Sequence, residues 1–124
     1  MVLYIINCSK EKAQTSCSAK DMYKSKRFIQ NLHNTEKPNT CCLIFSGKYG
    51  LIDPSVQIAP YDLNLNYTSL KYQQELATLI EQKLRCKLNQ NVISEIHTDS
   101  KDIYYDLIEK SLIKINYSGK IKTI

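Results

Sequence analysis

Two short apolar runs, Val2 to Ile6 and Cys41 to Phe45, each break off into a polar loop. Neither run alternates with polar residues, so each predicts a strand covered on both faces. Strands of that kind belong to mostly parallel sheets layered between helices.

The segments between the runs agree. From Ala19 to His33, Met22, Ser25, Phe28, Ile29 and Leu32 fall on one helical stripe, with Lys20, Lys24, Lys26 and Arg27 largely off it. That predicts a crossover helix with a basic face. Ser69 to Lys87 carries Leu70, Gln73, Leu76, Leu79, Ile80 and Leu84 at helical spacing behind a capping hydroxyl. Val92 to Ile96 predicts a third strand, Ser100 is placed as the cap of a helix reaching about Lys110, and Leu112 to Ile115 predicts a fourth strand. Leu51 to Tyr67, interrupted by Pro54 and Pro60, predicts a long ordered loop. Strand and helix alternate throughout, which predicts an α/β fold: a three-layer α/β/α domain around a mostly parallel four-stranded sheet. At 124 residues the chain has room for one core, so residues 1–124 are expected to form a single domain.

Composition narrows the setting. The N-terminal apolar run is too short for a signal peptide or a membrane span, so a cytoplasmic protein with no membrane association is expected. Five cysteines without paired CxxC spacing predict free thiols and no metal site, and no cofactor is expected. Lys and Arg outnumber Asp and Glu by 17 to 12, a surplus that favours a polyanionic partner such as a nucleic acid or a nucleotide.

In a parallel α/β sheet, ligands gather beyond the carboxyl ends of the strands where the strand order reverses. Three loops are expected there: Asn7 to Lys12, Ser46 to Asp62, and His97 to Ser100. In the first, Ser9, Lys10 and Lys12 can hold an anion, although the glycines of a P-loop are missing. Cys8 is a nucleophile only if a nearby cation lowers its pKa, and no arginine stands where a cysteine-phosphatase loop has one. In the second, Gly47 and Gly50 follow a buried strand within five residues, suggesting a tight turn that brings backbone close to a ligand, with Ser46 and Lys48 as donors. Pro60 stiffens the approach to Tyr61 and Asp62, a ring suited to stacking on a base and a carboxylate suited to positioning water; a buried Tyr61 and a turn-forming Asp62 are the plainer alternatives. His97 and Asp99 follow the third strand and are candidates for the same pocket, or for a satisfied core histidine and a cap.

The strings FSGKYGLIDP and IAPYDLNL resemble the signature of the YaaA-like peroxide-stress proteins and, more closely, of a small bacterial and phage domain family of unknown function related to them. The motifs stand as Cys8, Lys10 and Lys12; then Asp21, Tyr23, Ser25 and Phe28; then Ser46, Gly47, Tyr49, Gly50, Leu51 and Pro54; then Pro60, Tyr61 and Asp62. The relatives' closing Gly-rich segment is reduced here to Tyr117-Ser118-Gly119-Lys120. The resemblance implies an α/β fold with a sheet of the uracil-DNA glycosylase type and a link to DNA or nucleotide metabolism.

Together these readings favour N-glycosidase-like hydrolysis at a base–sugar bond. Asp62 and Ser46 are the expected catalytic pair, with Cys8, Ser9, Lys10, Lys12, Tyr23, Gly47, Lys48, Tyr49, Gly50, Pro60, Tyr61, His97 and Asp99 around the substrate. The alternatives are a non-catalytic DNA, RNA or nucleotide-binding module, and a protein-interaction domain of a phage or mobile element.

Overall fold

The computed structural model describes residues 1–124. The chain opens with β1 (Val2–Asn7), followed by a short β2 (Cys17–Ser18), α1 (Ala19–Met22) and α2 (Lys26–Asn34). Next come β3 (Thr40–Ser46), β4 (Gly50–Ile52), β5 (Gln57–Ile58), a 3-10 turn at Leu65–Tyr67 and α3 (Leu70–Gln90). The chain finishes with β6 (Glu95–Thr98), α4 (Asp102–Lys114) and β7 (Lys120–Thr123). The main sheet has the order β4-β3-β1-β6-β7, and β2 pairs with β5 in a separate antiparallel ribbon.

The α/β class holds, with five strands in place of four. β1 pairs in parallel with β3 and β6, β6 in parallel with β7, and only β4 runs antiparallel. The added strand comes from the segment expected to be loop. Gly50, at φ +77°, turns the chain back so that Gly50 faces Ser46 and Ile52 faces Ile44, a reversal that glycine makes without a Cβ penalty.

The side-chain alternation of β1 and β3 sorts two cores onto opposite faces. Leu3, Ile5, Leu43 and Phe45 point toward Leu76, Ile80 and Leu84 of α3 and Leu107, Ile108 and Leu112 of α4. Ile6 and Ile44 point the other way, toward Ala19, Met22, Tyr23, Phe28 and Ile58. Helices on both faces complete the three layers.

Three local readings change. The helix foreseen over Ala19 to His33 is broken: Tyr23 and Ser25 are extended, an isolated bridge joins Tyr23 to Lys12, and Ser25 caps α2 through the Phe28 N–H at 3.1 Å. Ser25 therefore serves as a cap, where the helical stripe had placed it inside the helix. Leu112 to Ile115 is the end of α4, because Leu107, Ile108, Ser111 and Leu112 recur at helical intervals and bury together; the last strand forms at Lys120–Thr123. Ser100 does not cap α4, whose N-cap is Lys101. The Ser100 hydroxyl instead donates to Asn7 Oδ1 at 3.1 Å.

Asp53 locks β4 to α3, with Lys83 Nζ at 2.6 Å and Lys87 Nζ at 3.1 Å. Burial raises its carboxyl, but the two ammonium groups outweigh that and hold it below the ordinary range. No helix is long and apolar enough to cross a membrane.

Candidate functional site

The strand order places β1 between its partners, with the crossover through α2 on one face and those through α3 and α4 on the other. The carboxyl ends of β1, β3 and β6 therefore open at a switch point.

A clasp fixes the first loop there. The Asp99 carboxylate, 8 % exposed, accepts from the Asn7 backbone N–H at 2.7 Å, from Asn31 Nδ2 at 3.0 Å and from the Arg27 guanidinium. Arg27 Nη2 also donates to the carbonyls of Asn7 (3.2 Å) and Cys8 (2.9 Å). The arginine that the sequence pattern did not supply thus reaches the loop from α2, where it holds two carbonyls and a carboxylate. It stands behind the Cys8 backbone and is already engaged.

The loops after β1 and β5 form an open cleft of about 510 Å³. Its polar walls are Asn7, Ser9, Lys10, Lys12, Asp62, Asn64 and Asn66, with Cys8, Leu63 and Tyr104 completing the lining. Asp62 is exposed, and it is the only acid in this lining. With the Ser100 hydroxyl on its Oδ1, Asn7 keeps its amide N–H groups for a ligand. Asp62 and Leu63 are shared with a second depression of about 540 Å³, whose other walls are Lys48, Pro60, Tyr61 and Tyr72.

Beside the cleft lies a hydroxyl cluster. Ser46 is fully buried, and its Oγ accepts from the N–H groups of Lys48 (3.2 Å) and Tyr49 (3.0 Å). Both lone pairs are then filled, so its proton goes to Tyr61 Oη at 2.8 Å. Tyr61 Oη in turn lies 2.6 Å from Tyr23 Oη. Burial pushes the Tyr23 hydroxyl up to about 12 and raises Tyr61 and Tyr104 as well, with the nearby Cys8 thiol adding to all three. The three tyrosine hydroxyls therefore stay protonated well into alkali.

The expected residues divide accordingly. Cys8, Ser9, Lys10, Lys12 and Asp62 meet in the cleft, and Lys48, Pro60 and Tyr61 line the depression next to it. Ser46 does not reach a ligand, because its hydroxyl is saturated inside the fold; it positions the turn and Tyr61. Tyr23 is 1 % exposed and equally internal. Tyr61 is no open stacking platform: Tyr23 and Tyr49 pack edge-on against it at 6.4 and 5.6 Å, and Lys12 Nζ lies 4.6 Å from its ring centre. Tyr49 braces the loop, its hydroxyl 3.4 Å from the Ala59 backbone.

Gly47 is tight for a packing reason, since a Cβ there would meet Leu63 at 3.0 Å and the Tyr104 hydroxyl at 3.3 Å. Gly50 faces α3. The third strand lies later than expected, at Glu95–Thr98 and not Val92 to Ile96, so His97 is a strand residue and not part of the loop; it stays outside the cleft, stacked edge-on with Tyr4 at 5.2 Å and bonded to Glu95 at 2.9 Å. Asp99 belongs to the clasp. Asn64, Asn66 and Tyr104 line the cleft without having been expected there, and Asn7, expected only as the start of the first loop, joins them. The alternation of Leu63-Asn64-Leu65-Asn66 carried the signal for two of them, since Leu65 turns inward and both asparagines turn outward.

No curated protein matches the sequence. The crystal structure of AF0587, a protein of unknown function, is similar in fold, with a TM-score of 0.52 at 10% identity over 98% of this chain. This chain spans 37% of that one. A family model described as a family of unknown function (DUF6884) matches residues 3–122, and the chain belongs to that family.

Proposed function

We propose that the domain acts on a nucleotide unit, free or within a nucleic acid, and hydrolyses its base–sugar bond. The observation that carries the reading is one unshared carboxylate, Asp62, facing two lysines and three asparagine amides across a cleft at the switch point. Lys10 and Lys12 suit a phosphate, and the amides of Asn7, Asn64 and Asn66 suit the donors and acceptors of a base edge or sugar. The YaaA-like resemblance, with its link to nucleotide metabolism, supports the same substrate class.

In the proposed step, water oxygen bonds to the anomeric carbon while the carbon–nitrogen bond breaks, its electron pair leaving on the base. One water proton passes to Asp62 and on to the departing base, so the carboxylate ends as it began. Lysine charge near the phosphate and amides on the sugar hold the reacting atoms in line.

A second reading, a binding module without chemistry, is favoured by the exposure of Asp62, which nothing in the fold desolvates. The two separate by mass spectrometry of small products after incubation with single- and double-stranded DNA, RNA and a nucleotide panel. Hydrolysis predicts free base from the parent chain and at least a 100-fold loss in Asp62→Asn. Unchanged ligand retained by both proteins would leave the binding module. No binding at all would end both.

A further inference from the structure

The second depression has no part in the proposed chemistry, yet it adjoins the cleft through Asp62 and Leu63, which wall both. Its remaining walls are a proline, two tyrosines and one lysine. Tyr72 is held in place, since its hydroxyl donates to the Gly47 carbonyl at 2.8 Å. Pro60 is rigid by constitution. Lys48 is exposed and forms no ion pair; its ammonium lies 5.3 Å from the centre of the Tyr49 ring. With Tyr61 packed edge-on by its neighbours, Pro60, Leu63 and the Tyr72 ring supply the apolar and aromatic surface, and together with one unpaired lysine they match a base with its phosphate.

The cleft and the depression are contiguous, sharing Asp62 and Leu63 as walls. They flank the same carboxylate, and their lysines (Lys10 and Lys12 on one side, Lys48 on the other) outnumber the single acid they share. Repeated charge at successive sites is the pattern of a strand followed along its backbone.

From this we infer that the substrate is a single-stranded polynucleotide, with one nucleotide in the cleft and the adjoining one in the slot of Lys48, Pro60 and Tyr72. Asp62 stands at the junction between the two units. This rests on the nucleotide reading of the cleft and extends it by choosing the polymer over the free nucleotide.

The test is binding of the full chain to 5′-phosphorylated oligothymidylates and oligoadenylates of one, three and six nucleotides, by fluorescence anisotropy at two salt concentrations. The expected result is at least a tenfold gain in affinity from one to three nucleotides. Lys48→Ala should lose most of that gain and lower the salt dependence for the trimer by about one unit of slope, while leaving the mononucleotide unchanged. Because Lys48 is exposed, Lys48→Ala keeps the fold, and Lys48→Arg should restore the trimer's affinity. Equal affinity for one and three nucleotides, or a Lys48→Ala variant that weakens neither, overturns the inference while the nucleotide reading stands. Failure of every length to bind overturns the nucleotide reading itself.

Discussion

The hydroxyl cluster of Ser46, Tyr61 and Tyr23 and the cleft of Lys10, Lys12 and Asp62 lie side by side on neighbouring loops, yet they dispose of polar atoms in opposite ways. In the cluster the backbone and hydroxyl partners are internal, and the rings pack edge-on. In the cleft the Asp62 carboxylate has no partner within the fold, while the asparagines are only partly engaged: Asn7 Oδ1 accepts from Ser100, and Asn64 Oδ1 accepts from the Asn66 backbone and side chain. The most distinctive part of the sequence, the serine–glycine turn and its tyrosine, therefore builds the wall. The loops after β1 and β5, with Lys10, Lys12 and Asp62 and with asparagines that belong to no motif, line the cleft. A motif can mark the neighbourhood of a site while supplying its scaffold.

The sharpest way to break that contrast is to exchange truncations. Tyr61→Ala should cost about 3 kcal/mol of stability in urea unfolding, from the lost ring and the unpartnered hydroxyls of Ser46 and Tyr23. Asp62→Ala should stay within about 0.5 kcal/mol. A large loss in Asp62→Ala, or none in Tyr61→Ala, would reverse the roles assigned to the two regions.

Asp99→Ala tests the join between them. It leaves the Asn7 N–H and Asn31 without their acceptor and Arg27 with only the Asn7 and Cys8 carbonyls, at a cost of about 2 kcal/mol, and it should also weaken cleft binding because the Cys8 loop loses its clasp. Stability that falls while binding holds would mean the loop keeps its shape without the carboxylate.

The smallest effect is in alkali. Tyr23 and Tyr61 ionise later in the folded chain than the ordinary tyrosine value of 10.0, Tyr23 at about 12. A raised folded pKa favours the protonated state, so this contribution is complete below about pH 10 and is lost as pH rises through the folded values. Stability should decline across that window, and Tyr61→Phe should flatten the decline; urea midpoints from pH 8 to about 12 read it. A slope unchanged in Tyr61→Phe would assign the alkaline loss to other tyrosines.

The layered fold was legible because β1 and β3 are apolar on both faces, which few architectures other than a covered parallel sheet accommodate. β4 was not. Three residues paired antiparallel are too short for a periodic signal, and only the positive φ of Gly50 makes the reversal. The last strand was misplaced because Leu112 to Ile115 is a short apolar run, which strand and helix share, whereas in Lys120–Thr123 only Ile121 is apolar, half-buried against the core and too little to register as a strand. At the site, the two loops could be read from their position after buried strands. What could not be read was which polar atoms were already spent. That accounting depends on partners 15 to 92 residues away, as with Ser46 and Tyr61 or Asn7 and Asp99.

The placement of Lys12 over the Tyr61 ring gives the protein an optical reporter of its own. The chain has nine tyrosines and no tryptophan, so tyrosine emission is not masked. A phosphate that draws the Lys12 ammonium away from its seat 4.6 Å above that ring changes the ring's surroundings at the moment of binding. Occupancy of the cleft can then be followed by ultraviolet emission on the unlabelled protein, with Lys12→Ala as the silent control.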